Sequence, residues 1–214
     1  MHPVLLSVFS AMLFAWSLLA AAAVPEAPDQ LVRRVANEVL TIARENPDLQ
    51  GDAARVARLI EQKIVPHFDF ERITRLAVGR PWRQATASQR EQLISEFRRL
   101  LVRSYSAAYT TYKEVAIEVE PLKLRPEEDD VTVRTRIKRT DGGPPIEVDY
   151  SMFKTDSQWK VYDVAVEGVS LVTTYRSTFA QVVNNGGIAA LIDRLVALNT
   201  AKVPPKPAGI SRRQ

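Results

Sequence analysis

Apolar residues first fall into a helical rhythm at Leu31. With Val35, Val39 and Ile42 it forms one stripe, which Asp29 is placed to cap and Asn46-Pro47 to end. A second stripe, Val56, Leu59, Ile60 and Ile64, follows a capping Asp52 and stops at Pro66. Asp69 opens a short third helix carrying Phe70, Ile73 and Leu76, closed by Gly79 and Pro81. The strongest helix start is Ser88-Gln89-Arg90-Glu91. It reads as a capping box, the serine accepting from a free backbone N–H and the glutamate reaching back. Behind it Leu93, Ile94, Phe97, Leu100, Leu101, Tyr105, Ala108 and Tyr109 keep helical spacing to about Tyr112. Roughly 25 residues make about 37 Å of helix, the length of a small domain.

From Val115 the period changes to two. Val115, Ile117 and Val119 alternate with small or acidic residues, and Val131, Val133, Thr135 and Ile137 alternate with Thr132, Arg134, Arg136 and Lys138. Ile146, Val148, Tyr150 and Met152 alternate with Glu147, Asp149, Ser151 and Phe153. Turn-forming runs at Pro126–Asp130 and Asp141–Pro145 separate these strands. The pattern predicts an antiparallel meander with one dry face and one wet face. In the last strand, Trp159 to Val166, Val161, Tyr162, Val164 and Val166 are apolar on both parities. That strand is covered on both faces or carries a bulge near Asp163. After Gly168, Ser170 is placed to cap a helix with Val172, Tyr175, Phe179, Val182 and Val183. Asn184-Asn185-Gly186-Gly187 breaks it, and Ile188, Leu191, Ile192, Leu195 and Leu198 form a final helix. The expected fold is α+β: an antiparallel sheet of about four strands with helices packed on one side.

The ends of the chain differ from this body. Met1–Ala23 holds no Lys, Arg, Asp or Glu, and Ala20-Ala21-Ala22-Ala23 supplies small residues for cleavage. It reads as a signal peptide, residues 1–23, cut after Ala23, although only the α-amino group and His2 supply positive charge. An uncleaved anchor is the other reading, and the apolar run is barely long enough to span a bilayer. Residues 24–200 form one domain large enough for a core, and residues 201–214, with three prolines and two arginines near the end, read as a disordered tail. The chain has no cysteine, so an exported domain must hold its fold by packing alone. Its net charge of +4 suits an anionic surface or acidic partner, though an ordinary solvated surface is the commoner reading, and it is too weak and evenly spread for nucleic acid.

The residues offer little for catalysis. After the leader the chain has one histidine, His67, between Pro66 and Phe68, where a turn residue packed on a core edge is the commoner role. One histidine without cysteine makes too few ligands for the usual zinc site, and no metal or cofactor is expected. Glu127-Glu128-Asp129-Asp130 falls in a turn between strands. Asp163 stands amid an apolar strand, either as a general base in a cleft or, the favoured reading, paired with a buried arginine. Gly142-Gly143 and Gly186-Gly187 are turn and cap glycines, not a phosphate loop. What stands out is apolar surface on the long helix, the sheet and the C-terminal helices. From periodicity alone a plain core explains it better than a pocket.

Three stretches carry a resemblance. They are Phe68-Asp69-Phe70-Glu71-Arg72 with Gly79-Arg80-Pro81-Trp82, then Trp159–Val164, then Glu167–Leu171 with Tyr175–Phe179. In their order around the long helix they resemble the MlaC family of periplasmic phospholipid carriers, also called toluene-tolerance or Ttg2-type proteins. The likeness covers most of residues 30–199. It implies a periplasmic shuttle of the Mla pathway, which maintains outer-membrane lipid asymmetry. Such a shuttle exchanges phospholipid with the MCE-domain subunit of an inner-membrane ABC transporter and with an outer-membrane lipoprotein–porin complex. It also implies that acyl chains are held inside and the head group at the mouth.

In that light the apolar excess becomes a pocket lining. The expected lipid-binding residues are Phe97, Leu101, Tyr105, Tyr109, Val148, Tyr150, Met152, Val164, Val166, Tyr175 and Phe179. Asp163 is expected to pair with Arg176; Arg176 near the phosphate is the alternative. Two rivals remain: a small α+β cone-fold enzyme using Asp163, Tyr162 or His67, and a non-catalytic envelope scaffold with a filled core.

Overall fold

The computed structural model describes residues 26–49, 51–109, 115–125, 127–139, 142–156 and 158–205, the side chains of residues 107–109 and 115 apart. The expected leader, and the tail beyond residue 205, lie outside the described residues.

Helix α1, Pro28–Glu45, begins one residue before Asp29, on Pro28 behind Ala27. Proline suits that first position because its missing N–H would have no partner there. Asp29 is therefore not the cap; its carboxylate accepts instead from the Leu122 backbone N–H at 3.3 Å, tying the helix to the chain after the first strand. Asp52 caps α2, Ala53–Lys63, and Asp69 caps α3, Phe70–Val78, each accepting from the N–H three residues on. Helix α4, Ala87–Tyr109, starts two residues earlier than Ser88 predicts. Its box is Thr86 with Gln89: Gln89 N–H donates to Thr86 Oγ1 at 3.2 Å and Thr86 N–H to Gln89 Oε1 at 3.0 Å. Thr86→Ala should therefore cost about 1 kcal/mol, a fall of roughly 2–4 °C in a chemical or thermal melt, while Ser88→Ala changes almost nothing.

The sheet has five antiparallel strands in sequential order: β1 Val115–Val119, β2 Asp130–Arg139, β3 Ile146–Lys154, β4 Trp159–Val166 and β5 Val169–Ser170. The expectation of about four misses β5. Two residues show no alternation, and only the turn at Glu167 (φ 50°) and Gly168 (φ 75°) folds them back to pair with Ala165 and Val166. Glu167 holds its left-handed conformation by exchanging bonds with Glu147: its N–H donates to the Glu147 carbonyl at 2.9 Å, and Glu147 N–H donates to its carboxylate at 2.6 Å. The bulge expected near Asp163 is present. Ser151 faces Asp163 while Met152 faces Val161, so Tyr162 is the extra residue. This shift returns Val161, Val164 and Val166 to one face and explains the apolar run on both parities.

Helix α5, Leu171–Thr200, follows, broken at Gly187 (φ 75°, ψ −170°). Its first half brings Tyr175 and Phe179 onto Phe97, and its second half brings Asn199 to Glu96, so both halves return to the middle of α4. Arg103 of α4 donates to the carbonyls of Leu198, at 2.7 Å, and Asn199, at 2.8 Å, covering the end of α5 where carbonyls lack partners.

Packing falls into three apolar clusters. The largest joins α3, α4 and α5 around Leu93, Phe97, Leu100, Phe179, Leu191 and Leu195. A second lies between α1 and the sheet around Leu31, Val133, Met152, Trp159 and Val161. A small third joins α1 and α2 around Val56 and Leu59. Phe68 touches both of the larger clusters, and its parallel bridge to Val161 anchors α3 on the sheet.

Candidate functional site

The sheet's inner face is set by register. Val148 lies opposite Thr135 and Val166, Tyr150 opposite Val133 and Val164, and Met152 opposite Val131 and Val161. Thr135 is the one polar residue in this patch. It is 1% exposed and donates its hydroxyl to the Val148 carbonyl at 2.8 Å, which removes the cost of burying it. Helix α4 packs on α2, α3 and α5, whereas the strands are met chiefly by α1, α3 and α5.

The structure divides the expected lining residues in two. Phe97, Met152, Phe179 and Val148 are buried, at 1%, 0%, 3% and 6% exposure. Phe97 meets Tyr175 and Phe179 edge-on, with ring centroids 4.8 and 4.9 Å apart, and Met152 sits in the sheet cluster. These are packed core. Leu101, Tyr105, Tyr150, Val164, Val166 and Tyr175 are only half-buried. The Tyr109 side chain lies outside the described residues.

The tyrosines define the character of this half-buried set. Burial holds the Tyr150 hydroxyl above the ordinary phenol range, with the neighbouring Thr135 hydroxyl pulling the other way. Burial raises Tyr105 as well, with Tyr175 nearby adding to it, and burial alone raises Tyr175. Each ring nevertheless keeps accessible surface.

The expected ion pair is not formed. Asp163 accepts from the Val164 N–H at 2.9 Å, the Val172 N–H at 3.0 Å and the Ser170 hydroxyl at 2.5 Å. Ser170 in turn accepts from Thr173 N–H at 3.0 Å. Asp163 is thus a second cap for α5, with its oxygens committed to that task rather than open to a substrate. Arg176 donates its Nε to the Leu76 carbonyl at 2.9 Å, near the end of α3. The signal for this was local: a carboxylate just before Gly168 and a Ser170 cap lies within reach of the same helix start.

His67 lies at the join of α1, α2 and β4, not beside the tyrosines. Its Nδ1 is buried without a partner, and burial, with Arg34 and Lys160 adding, pushes its pKa below 6.5 against the pull of Glu26 and Glu38. The folded chain therefore resists a proton that the unfolded chain takes up near pH 6.5. Stability should fall as pH drops below that value, until the folded-state pKa is passed, and His67→Gln should flatten this slope in thermal melts across the window. Among the described residues no three His, Asp or Glu side chains gather as a metal site, and no helix is long and apolar enough to cross a membrane.

Comparison with known proteins gives this geometry a family. The MlaC protein family profile matches residues 33–197. The intermembrane phospholipid transport system binding protein MlaC of Haemophilus influenzae is 23% identical over 171 residues, 78% of this chain and 80% of that one. The toluene tolerance protein ttg2D of Pseudomonas putida is 28% identical over 106 residues, 49% of this chain and 48% of that one. The structure of a phospholipid-binding protein from Ralstonia solanacearum, in complex with a phospholipid, superposes with a TM-score of 0.75. It is 34% identical and spans 81% of this chain and 97% of its own. With the profile covering most of the chain and the same fold in a lipid-binding relative, this chain belongs to the MlaC family.

Proposed function

We propose that the chain is a periplasmic phospholipid carrier rather than an enzyme. It holds acyl chains between the sheet's inner face and helices α4 and α5, and leaves the head group at the surface. In this reading it shuttles lipid between the MCE-domain subunit of an inner-membrane ABC transporter and an outer-membrane lipoprotein–porin complex, which maintains outer-membrane asymmetry. The observation that carries it is the shared fold of a relative in complex with a phospholipid, and the half-buried set Leu101, Tyr105, Tyr150, Val164, Val166 and Tyr175 is the candidate lining.

The energetics fit a carrier. Two acyl chains hold roughly 30 methylenes, each costing about 0.8 kcal/mol to expose to water, so about 24 kcal/mol opposes free diffusion. The carrier need only approach the bilayer's own solvation of the chains, which makes exchange nearly neutral and reversible. Such a site needs broad apolar contact and few polar anchors.

Native mass spectrometry with organic extraction tests the proposal. Co-purified phospholipid is the expected result. Lipid-free protein that takes up none from vesicles or detergent micelles would leave a filled-core scaffold as the reading.

A further inference from the structure

The charge expected from composition to be evenly spread is uneven along the chain. Residues 70–109 hold eight arginines and three glutamates, whereas residues 115–170 hold eight Lys and Arg against twelve Asp and Glu. On the sheet much of this charge is paired: Lys138 with Glu118 and Arg136 with Glu120. The corner between α3 and α4 is different. Arg75 lies in the last turn of α3, and Arg80 and Arg83 stand three apart in the 3-10 turn Arg80–Gln84, so they project together. Arg90 and Arg176 converge on the same corner, held by backbone carbonyls instead of carboxylates. Arg90 donates to Trp82 at 3.2 Å and to Arg83 at 3.3 Å, and Arg176 to Leu76 at 2.9 Å. None of these five arginines is in an ion pair among the described residues, nor are the neighbouring Glu71 and Glu91.

We infer that this corner docks reversibly on an anionic phospholipid surface, its guanidinium groups on lipid phosphates. The inference rests on the carrier reading, because both stations of the proposed shuttle are held in a bilayer. A protein interface would need a buried apolar or aromatic centre inside its charged rim. Among the described residues the corner has none: their exposed large apolar side chains are Leu124, Val169, Val196 and Val203, and Trp82 is 7% exposed beneath Arg90. Charge without an apolar wedge suits attraction to a membrane surface without insertion.

The test uses the lipid-loaded chain from residue 24, sedimented with vesicles of phosphatidylethanolamine and phosphatidylglycerol, and with phosphatidylcholine vesicles alone. Wild type should partition onto the anionic vesicles and leave them at about 0.5 M salt, where screening is a few ångströms long. Arg75→Gln/Arg80→Gln/Arg83→Gln should weaken partition about a hundredfold, the loss of three cations at a membrane surface. Arg134→Gln, on the sheet's outer face, should leave it unchanged. Equal binding to phosphatidylcholine, or a triple variant that binds like wild type, overturns the inference. Capture of wild type by soluble polyglutamate but not by vesicles overturns it in favour of an acidic protein. Co-purified phospholipid in the triple variant, confirmed folded by circular dichroism, keeps failure here separate from failure of the carrier reading.

Discussion

Val166→Glu should abolish phospholipid co-purification while leaving the protein folded. Val166 lies opposite Val148 at the end of β4, on the face that carries Tyr150 and Val164, and is half-buried. In the lipid-free protein a glutamate there still reaches water through the accessible surface that Val166 now has. With acyl chains in place it must be desolvated beside methylenes or protonated, and an unpaired carboxylate in apolar surroundings costs several kcal/mol. A penalty of about 4 kcal/mol lowers affinity roughly a thousandfold. Val166→Leu adds only apolar volume and should keep its lipid. Val148 is the weaker probe, because at 6% exposure a charge there attacks the fold as well. Lipid-to-protein ratio after extraction, read beside the circular dichroism spectrum, decides the matter. A folded Val166→Glu protein with a full complement of lipid removes this strand end from the lining.

Much of this architecture was legible because it depends on neighbours in sequence. Asp52, Asp69 and Ser170 cap helices at the positions their spacing predicts, and period-two alternation marks the four longer strands. The misplaced cap at α4 has a plain cause. Thr86-x-x-Gln89 and Ser88-x-x-Glu91 both satisfy the same motif, and the helix adopts the earlier one, which gains it additional backbone bonds. The site was less legible, because it depends on residues distant in sequence. Phe97 and Tyr105 share an apolar periodicity, yet Phe97 is covered by Tyr175 and Phe179 while Tyr105 keeps accessible surface. Which of two such side chains packs solid is decided by where Tyr175 and Phe179 of α5 land on α4, and one helix's periodicity carries no trace of that. The Asp163–Arg176 pairing failed for a similar reason. Opposite charges suggested it, but β5, too short to show a pattern, brings Ser170 and the start of α5 to Asp163 first.

Asp163→Ala should be the most damaging single change at the join of sheet and helix. It removes the acceptor for two backbone N–H groups and the Ser170 hydroxyl. Losing a charged acceptor shared by three donors should cost about 3 kcal/mol, or roughly 6–12 °C in melting temperature for a domain of this size. Asp163→Asn keeps one carboxamide oxygen for the Val164 and Val172 N–H groups and should lose about a third as much. Arg176→Ala should change stability little, and its effect should add to that of Asp163→Ala, since the two side chains share no bond. A double-mutant cycle measures this: strong coupling would restore the ion pair. The effect reaches the site because α5 starts at Leu171, and one turn later Tyr175 sits against Phe97. A start freed from β4 frays first at its unsatisfied N–H groups. Amide exchange in residues 171–176 should therefore quicken before the global transition, and lipid should leave faster from Asp163→Ala than from Asp163→Asn, because the same cap that stabilises the fold also holds Tyr175 in place.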